Sequence, residues 1–214
     1  MNILNELLML SEAKGKNLLG LTINDKKITE KTKSETWLGD FVCDNNKLTT
    51  LKGAPVSVGG GFYCSNNQLT SLEGAPTSVG GDFWCYKNKL TSLEGAPASV
   101  VGYFDCDYNQ LTSLEGAPAS VGGYFGCSHN QLTSLTNIHK ILKQMNGNFY
   151  AYNNPLKSNV IGLLLVNGCK EVQMDNKQVE EIMNRHLKSA FGHLRVLECQ
   201  SEMLDAGLEE WAEL

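Results

Sequence analysis

From residue 41 to residue 156 the chain repeats one pattern of apolar and polar positions every 21 residues. Cys43, Cys64, Cys85, Cys106 and Cys127 mark the period, and Ala151 takes the same place in a sixth copy after a three-residue insertion. Two residues before each stands Phe41, Phe62, Phe83, Phe104, Phe125 or Phe149, and three after each stands Asn46, Asn67, Asn88, Asn109, Asn130 or Asn154. Two places further on come Leu48, Leu69, Leu90, Leu111, Leu132 and Leu156. Such a period marks a stacked-repeat architecture, in which a single repeat cannot bury its apolar face alone.

Each place has a physical reading. Val58, Gly60, Phe62 and Cys64 alternate with Gly59, Gly61, Tyr63 and Ser65, which predicts a strand with one buried face. Stacked copies pair as a parallel sheet with neighbours about 4.8 Å apart, the Phe and Cys columns forming its inner face. The short amide of each Asn carries both a donor and an acceptor for the turn that ends the strand. Leu69 and Leu72 bring the chain back over the core. Ala75 precedes Pro76, and a residue before proline is driven out of the helical region. The convex side is therefore predicted to be extended in the first four copies, and helical only where Thr136 to Leu142 replace Glu-Gly-Ala-Pro.

A stack of this kind needs caps, because its end coils otherwise expose apolar core and open strand edges. Ile3, Leu4, Leu7, Leu8 and Leu10 share one helical face ending near Gly15. Leu18 to Ile23 add a strand, and Lys26, Lys27, Lys31 and Lys33 form a polar connection to the first repeat. After the repeats, Val160 to Val166 is apolar, a helix starting at Asp175 carries Val179, Ile182, Met183 and Leu187, and a last helical stretch covers 190–214. The expected organisation is a helical and mixed cap over 1–38, a six-copy solenoid over 39–156 and a helical cap over 157–214.

Comparison of the copies with one another separates places the repeat holds constant from places it leaves free. The outward strand positions vary: Asp40, Val42 and Asp44 in the first copy, Asp82, Trp84 and Tyr86 in the third, Tyr103, Asp105 and Asp107 in the fourth. All seven tyrosines lie on this face or just after it at Tyr108, while six of the seven phenylalanines point inward. Phe stands where a ring needs no partner and Tyr where one end of it is wet. Rigid aromatic rings are enriched at interaction hot spots, and interleaved carboxylates favour a basic partner surface. The candidate partner-binding residues are Asp44, Tyr63, Asp82, Trp84, Tyr86, Tyr103, Asp105, Asp107, Tyr108, Tyr124, His129, Tyr150 and Tyr152. The competing reading is that Tyr covers the sheet through strand propensity alone. Six stacked strands make this face roughly 24–29 Å long.

Other chemistry is thin. Five cysteines in one inward column, with no C-x-x-C pair, read as buried thiols and not as a metal or redox centre. Glu73, Glu94 and Glu115, with Lys52 in the same place, read as a solvated convex edge. His129, His139, His186 and His193 join no recognisable nucleophile motif, so no catalytic residue, metal or cofactor is expected. Net charge is −5 and no basic stripe occurs, which sets nucleic acid aside. No basic-plus-apolar leader and no apolar run of membrane-spanning length is present, and seven cysteines without an export signal predict reduced thiols in a cytoplasm.

The segment Phe62-Tyr63-Cys64-Ser65-Asn66-Asn67-Gln68-Leu69 and its copies fit the pattern L-x-L-x-x-N-x-L, with Phe and Cys in the first two leucine places. In these residues the sequence resembles the leucine-rich repeat family, in particular the short repeats of bacterial secreted effectors. With Leu-Thr-Ser-Leu-Glu-Gly-Ala-Pro it is similar to repeats of large tailed-phage proteins. It departs from the longer family pattern three residues before the Phe place, where Gly59, Gly80 and Gly122 stand instead of leucine. The resemblance implies a leucine-rich-repeat-like solenoid with a parallel β-sheet, a mostly extended convex side and α-helical N- and C-terminal caps. It implies a non-enzymatic module that binds a protein partner; a phage origin would make that partner a host protein, for instance a defence factor, met in the host cytoplasm. A virion component or glycan-binding adhesin is the alternative, since Tyr, Trp and Asp also suit sugars. Some effectors of this repeat type carry a C-terminal ubiquitin-ligase domain, but the 58 residues around Cys169 and Cys199 are too few for one.

Overall fold

The computed structural model describes residues 21–24, 27–30, 36–189 and 192–213. The helix expected over Ile3 to Leu10 lies outside the described residues. Strands β1 (Leu21–Asn24) and β2 (Lys27–Glu30) pair antiparallel, so part of the lysine-rich connection is strand.

Where one strand per copy was expected, each of the first five coils contributes two strands of two residues. These are β3 (Thr36–Trp37) and β4 (Phe41–Val42), β5 (Ser57–Val58) and β6 (Phe62–Tyr63), β7 (Ser78–Val79) and β8 (Phe83–Trp84), β9 (Ser99–Val100) and β10 (Phe104–Asp105), and β11 (Ser120–Val121) and β12 (Phe125–Gly126). They form two parallel ladders, β3-β5-β7-β9-β11 and β4-β6-β8-β10-β12, which join in the single seven-residue β13 (Gln144–Tyr150). The break between the ladders falls on a glycine in every coil, three in the second and a pair in the third and fifth, and close approach explains the glycine. A Cβ on Gly80 would lie 2.2 Å from the Gly59 carbonyl oxygen, and one on Gly81 would lie 2.8 Å from the Gly61 nitrogen.

The register places like on like, Phe62 on Phe83 and Val58 on Val79 through Ser57–Ser78 pairing. Phe41, Phe62, Phe83, Phe104, Phe125 and Phe149 stack with ring centroids 5.1–5.5 Å apart. Burying each ring is worth about 1.5–3 kcal/mol, so this column is the principal apolar spine. Cys43, Cys64, Cys85, Cys106 and Cys127 are fully buried free thiols beside it. The Asn column does more than close its own turn. Asn67 Nδ2 donates to the carbonyls of Cys64 in its own coil (3.0 Å) and Cys43 in the preceding one (2.9 Å), while its Oδ1 accepts from Leu48 N–H (2.9 Å). The same arrangement recurs at Asn88, Asn109, Asn130 and Asn154, so each amide ties two coils together.

The return path is extended. Ala75 N–H donates to the Leu72 carbonyl at 2.9 Å with Gly74 at φ +91°, a turn whose third place needs positive φ. Only in the fifth coil does this path hold a helical turn, α1 (Ile138–Ile141), where the expected replacement lies. After the six copies comes a 3-10 turn (Ile161–Leu165), and then a seventh parallel rung, β14 (Asn167–Gln173), which the sequence reading missed. Helices α2 (Lys177–Leu187) and α3 (His193–Asp205) close this end. Asn184 on α2 both accepts from Val172 N–H (2.7 Å) and donates to its carbonyl (2.8 Å), so a side chain satisfies the last strand's open edge. Buried Arg195 on α3 donates to the Leu164 carbonyl and so fastens the helix to the 3-10 turn. No helix among the described residues is long and apolar enough to cross a membrane.

Candidate functional site

The β4–β12 ladder sets the outward residues in columns, because parallel in-register pairing repeats each place one strand spacing further on. One column runs Val42, Tyr63, Trp84, Asp105, Gly126, Tyr150. Two residues earlier in each coil, Asp82, Tyr103 and Tyr124 fall side by side; two residues later the column runs Asp44, Ser65, Tyr86, Asp107, Ser128, Tyr152.

The rings touch one another across the coils. Tyr63 and Trp84 have centroids 4.7 Å apart, and Tyr103 and Tyr124 stack at 4.5 Å with planes 17° apart. Tyr124 meets Tyr150 edge-on at 5.6 Å, and Trp84 lies 6.4 Å from Tyr86. Trp84 Nε1 is buried without a hydrogen-bond acceptor among the described residues. Glycine lets the tyrosines lie flat: a Cβ on Gly123 would come 2.0 Å from the Tyr103 ring.

The aspartates are half structural. Asp40 Oδ1 accepts from Gly61 N–H (2.6 Å), Asp82 Oδ1 from Tyr103 N–H (2.8 Å), Asp107 Oδ1 from Ser128 N–H (2.6 Å), and Asp44 Oδ1 from Ser65 N–H. Each therefore holds a backbone donor of the next coil, a role the sequence reading did not give it. Asp105 instead accepts from Asp107 N–H within its own coil, at 3.0 Å. None of the five makes an ion pair among the described residues. Burial, then the adjacent Asp105 charge, pushes the Asp107 carboxyl up to about 7 against the pull of the Ser128 N–H. Burial also raises Asp105 and Asp44. Tyr63 and Tyr124 are raised by burial and then by the neighbouring carboxylates.

A further column lies at the edge of the face. Asn45, Asn66, Lys87, Tyr108, His129 and Asn153 all hold φ between +51° and +59°. Asn and His are the side chains that enter this left-handed region most readily, but Lys and Tyr do so at a cost of about 1–2 kcal/mol. Tyr108 stacks on His129 with centroids 3.9 Å apart, Lys87 lies 5.6 Å over the Tyr108 ring, and His129 Nε2 meets Asn153 Nδ2 at 3.1 Å. The recurring Asn at three of these places was the available signal for the turn. At the other end Tyr152 is turned toward the cap, its hydroxyl on Gln173 Oε1 (2.9 Å) and Lys177 5.0 Å over its ring.

The structure thus brings Trp84, Tyr86, Tyr103, Asp105, Asp107, Tyr108, Tyr124 and His129 together over three successive coils. Asp44 stands two coils away, and Tyr150 and Tyr152 border the cap. Of the remaining histidines, His186 pairs with Glu202 at 2.8 Å inside the C-terminal cap, and His139 Nδ1 is buried on the convex side, both away from this face. The Glu73 column is exposed, with Lys52 and Glu73 3.2 Å apart.

These features define a capped parallel β-solenoid with an exposed aromatic face. Comparison with family models, with characterised proteins and with solved structures returned no match, so the class rests on the fold alone.

Proposed function

We propose that the chain is a non-enzymatic binding module that holds a protein partner on its aromatic and acidic sheet face. The observation that carries this reading is the clustering of Trp84, Tyr86, Tyr103, Tyr108 and Tyr124 on the rigid ladder, with Tyr103 and Tyr108 close to half exposed at 45% and 47%. Rings fixed by the sheet lose little entropy on binding, and five aspartates without ion pairs among the described residues favour a partner with a basic patch. If the repeat's resemblance to tailed-phage sequences reflects its origin, the partner is a host protein in an infected bacterium, for instance a defence factor. The non-enzymatic reading rests on the make-up of the face, whose carboxylates and rings suit holding a partner.

A second reading is a virion component or adhesin that binds glycan, favoured by the accessible Tyr103 and Tyr108 rings beside aspartate acceptors. The test is affinity capture from bacterial lysate with the wild type and a Tyr63/Trp84/Tyr103/Tyr124→Ala variant that keeps its circular dichroism. A protein held by the wild type and lost by the variant supports the face as the site. Retention by both moves the contact to the caps. Capture of nothing, with binding to surface glycan or recovery in purified particles, favours the second reading.

A further inference from the structure

Helix α3 buries one face against the cap and leaves the other open. Arg195, Val196, Cys199 and Met203 are buried, while Leu194, Leu197 and Leu204 stand 69%, 61% and 53% exposed. With Ser201 they recur at i, i+3, i+7 and i+10, so they form one line along the helix. Apolar residues exposed singly need no explanation, but three leucines in one line do. A groove of about 550 Å³ opens beside this line; its apolar lining is Leu197, Leu204 and Ala212, and Glu209 and Glu213 also line it. The 3-10 turn that borders it (Glu209–Trp211) is fixed in place, because Gln200 Nε2 donates to the Ala212 carbonyl and Leu208 N–H to the Met203 carbonyl, each at 2.9 Å. The groove is therefore preformed.

The surroundings of the groove carry one sign of charge. Val196 to Leu214 hold six Asp/Glu and no Lys or Arg. Glu202 is spent on Arg185 and His186, but Glu198, Asp205, Glu209, Glu210 and Glu213 are exposed and make no ion pair among the described residues. Two copies meeting line to line would bring these carboxylates together, and an anionic membrane would meet the same repulsion. We propose that the C-terminal cap is a second docking surface, separate from the sheet face, on which a protein partner seats a cationic amphipathic helix. The apolar line of that helix packs on Leu197, Leu204 and Ala212, and its Lys or Arg residues meet the acidic rim. Leu194 to Leu204 span about 15 Å at the helical rise, which about three turns of a partner helix cover.

The test is fluorescence anisotropy of a labelled helical peptide of Leu, Ala and Lys, with leucines at i, i+3, i+7 and i+10, titrated with the full-length chain. A shuffled peptide of the same composition keeps the charge without the apolar line, and a version with Glu for Lys keeps the line without the charge. The first peptide should bind saturably and the two controls should not. Leu197→Gln with Leu204→Gln, both at exposed positions, should weaken binding about tenfold or more. Glu209→Gln with Glu213→Gln should weaken it about threefold or more. The Tyr63/Trp84/Tyr103/Tyr124→Ala variant should bind as the wild type does. Absence of saturable binding, equal binding of either control, full binding by the Leu→Gln pair, or loss of binding in the four-ring variant overturns the cap surface. A dimer in sedimentation that the Leu→Gln pair dissolves would overturn it too, giving the leucine line to a second copy. The sheet-face reading fails separately, because the substitutions that test one surface lie outside the other.

Discussion

Asn109→Ala should be among the most damaging single substitutions in the solenoid, although it removes no apolar contact. Asn109 is 8% exposed and its Nδ2 donates to the carbonyls of Cys85 (3.1 Å), Cys106 (3.0 Å) and Asp107 (3.2 Å). Its Oδ1 accepts from Leu90 N–H in the preceding coil, at 3.0 Å. The losses differ in kind. The Cys85 and Cys106 carbonyls keep a second amide each, from Asn88 and Asn130, whereas buried Leu90 N–H keeps no acceptor. A stranded buried donor costs about 1–3 kcal/mol and the lost donor bonds add about 0.5–1.5 kcal/mol, so a loss of about 2–4 kcal/mol is expected. Asn46 provides the control: it is half-buried at the first coil and, among the described residues, its side-chain amide donates only to the Asp44 carbonyl in its own turn. Asn46→Ala should therefore cost only about 0.5–1.5 kcal/mol. Urea unfolding followed by both tryptophan fluorescence and circular dichroism reads the difference, and the two probes must coincide for the free energies to hold. At ordinary denaturant slopes the Asn109 variant should lose about 1–2 M in midpoint. Equal losses at the two positions would show that the amides act within their own turns and do not couple coils.

Three further outcomes follow from the geometry. Gly116→Ala combines φ +84° with a Cβ 2.6 Å from the Glu94 nitrogen, whereas Gly207→Ala has φ +71° and nothing within 4 Å. Urea midpoints should give a loss of about 2–4 kcal/mol for the first and about 1–2 kcal/mol for the second, and equal losses would remove close coil approach as the cause. Asp107 is raised on folding from 3.8 to about 7, so the native state binds more protons than the unfolded chain between those values. Its contribution is fully present below the lower value and is lost as pH rises through about 7; Asp107→Asn should flatten this component of a pH series of thermal midpoints. The column cysteines are fully buried and burial pushes their thiols well above 9.0. A thiol reagent should label them no faster than the chain unfolds, and rapid labelling at native pH would contradict their placement.

The repeat was legible because stacking forces every coil to present the same residue at the same place, so the core is written five or six times over. Phe62 and its counterparts, the Cys column, Asn67 and its counterparts, and Ala75-Pro76 each stood where their spacing put them. The candidate face was legible for the complementary reason: positions that vary while their neighbours stay constant are free of the core. What escaped were features set by one coil's approach to the next. A period-2 pattern through Gly59 and Gly60 reads as one strand, and only the backbone contact that excludes a Cβ shows that two ladders meet there. The aspartates read as free charge, whereas the coil 21 residues on supplies the backbone donors that hold four of them. The seventh rung β14 carries no Phe-x-Cys signature, because it pairs with β13 on one side and takes its other edge partner from Asn184 on a helix. Spacing along the chain records which residues share a face; which of them then spend their polar atoms on each other depends on distances between coils, and those exist only once the stack has closed.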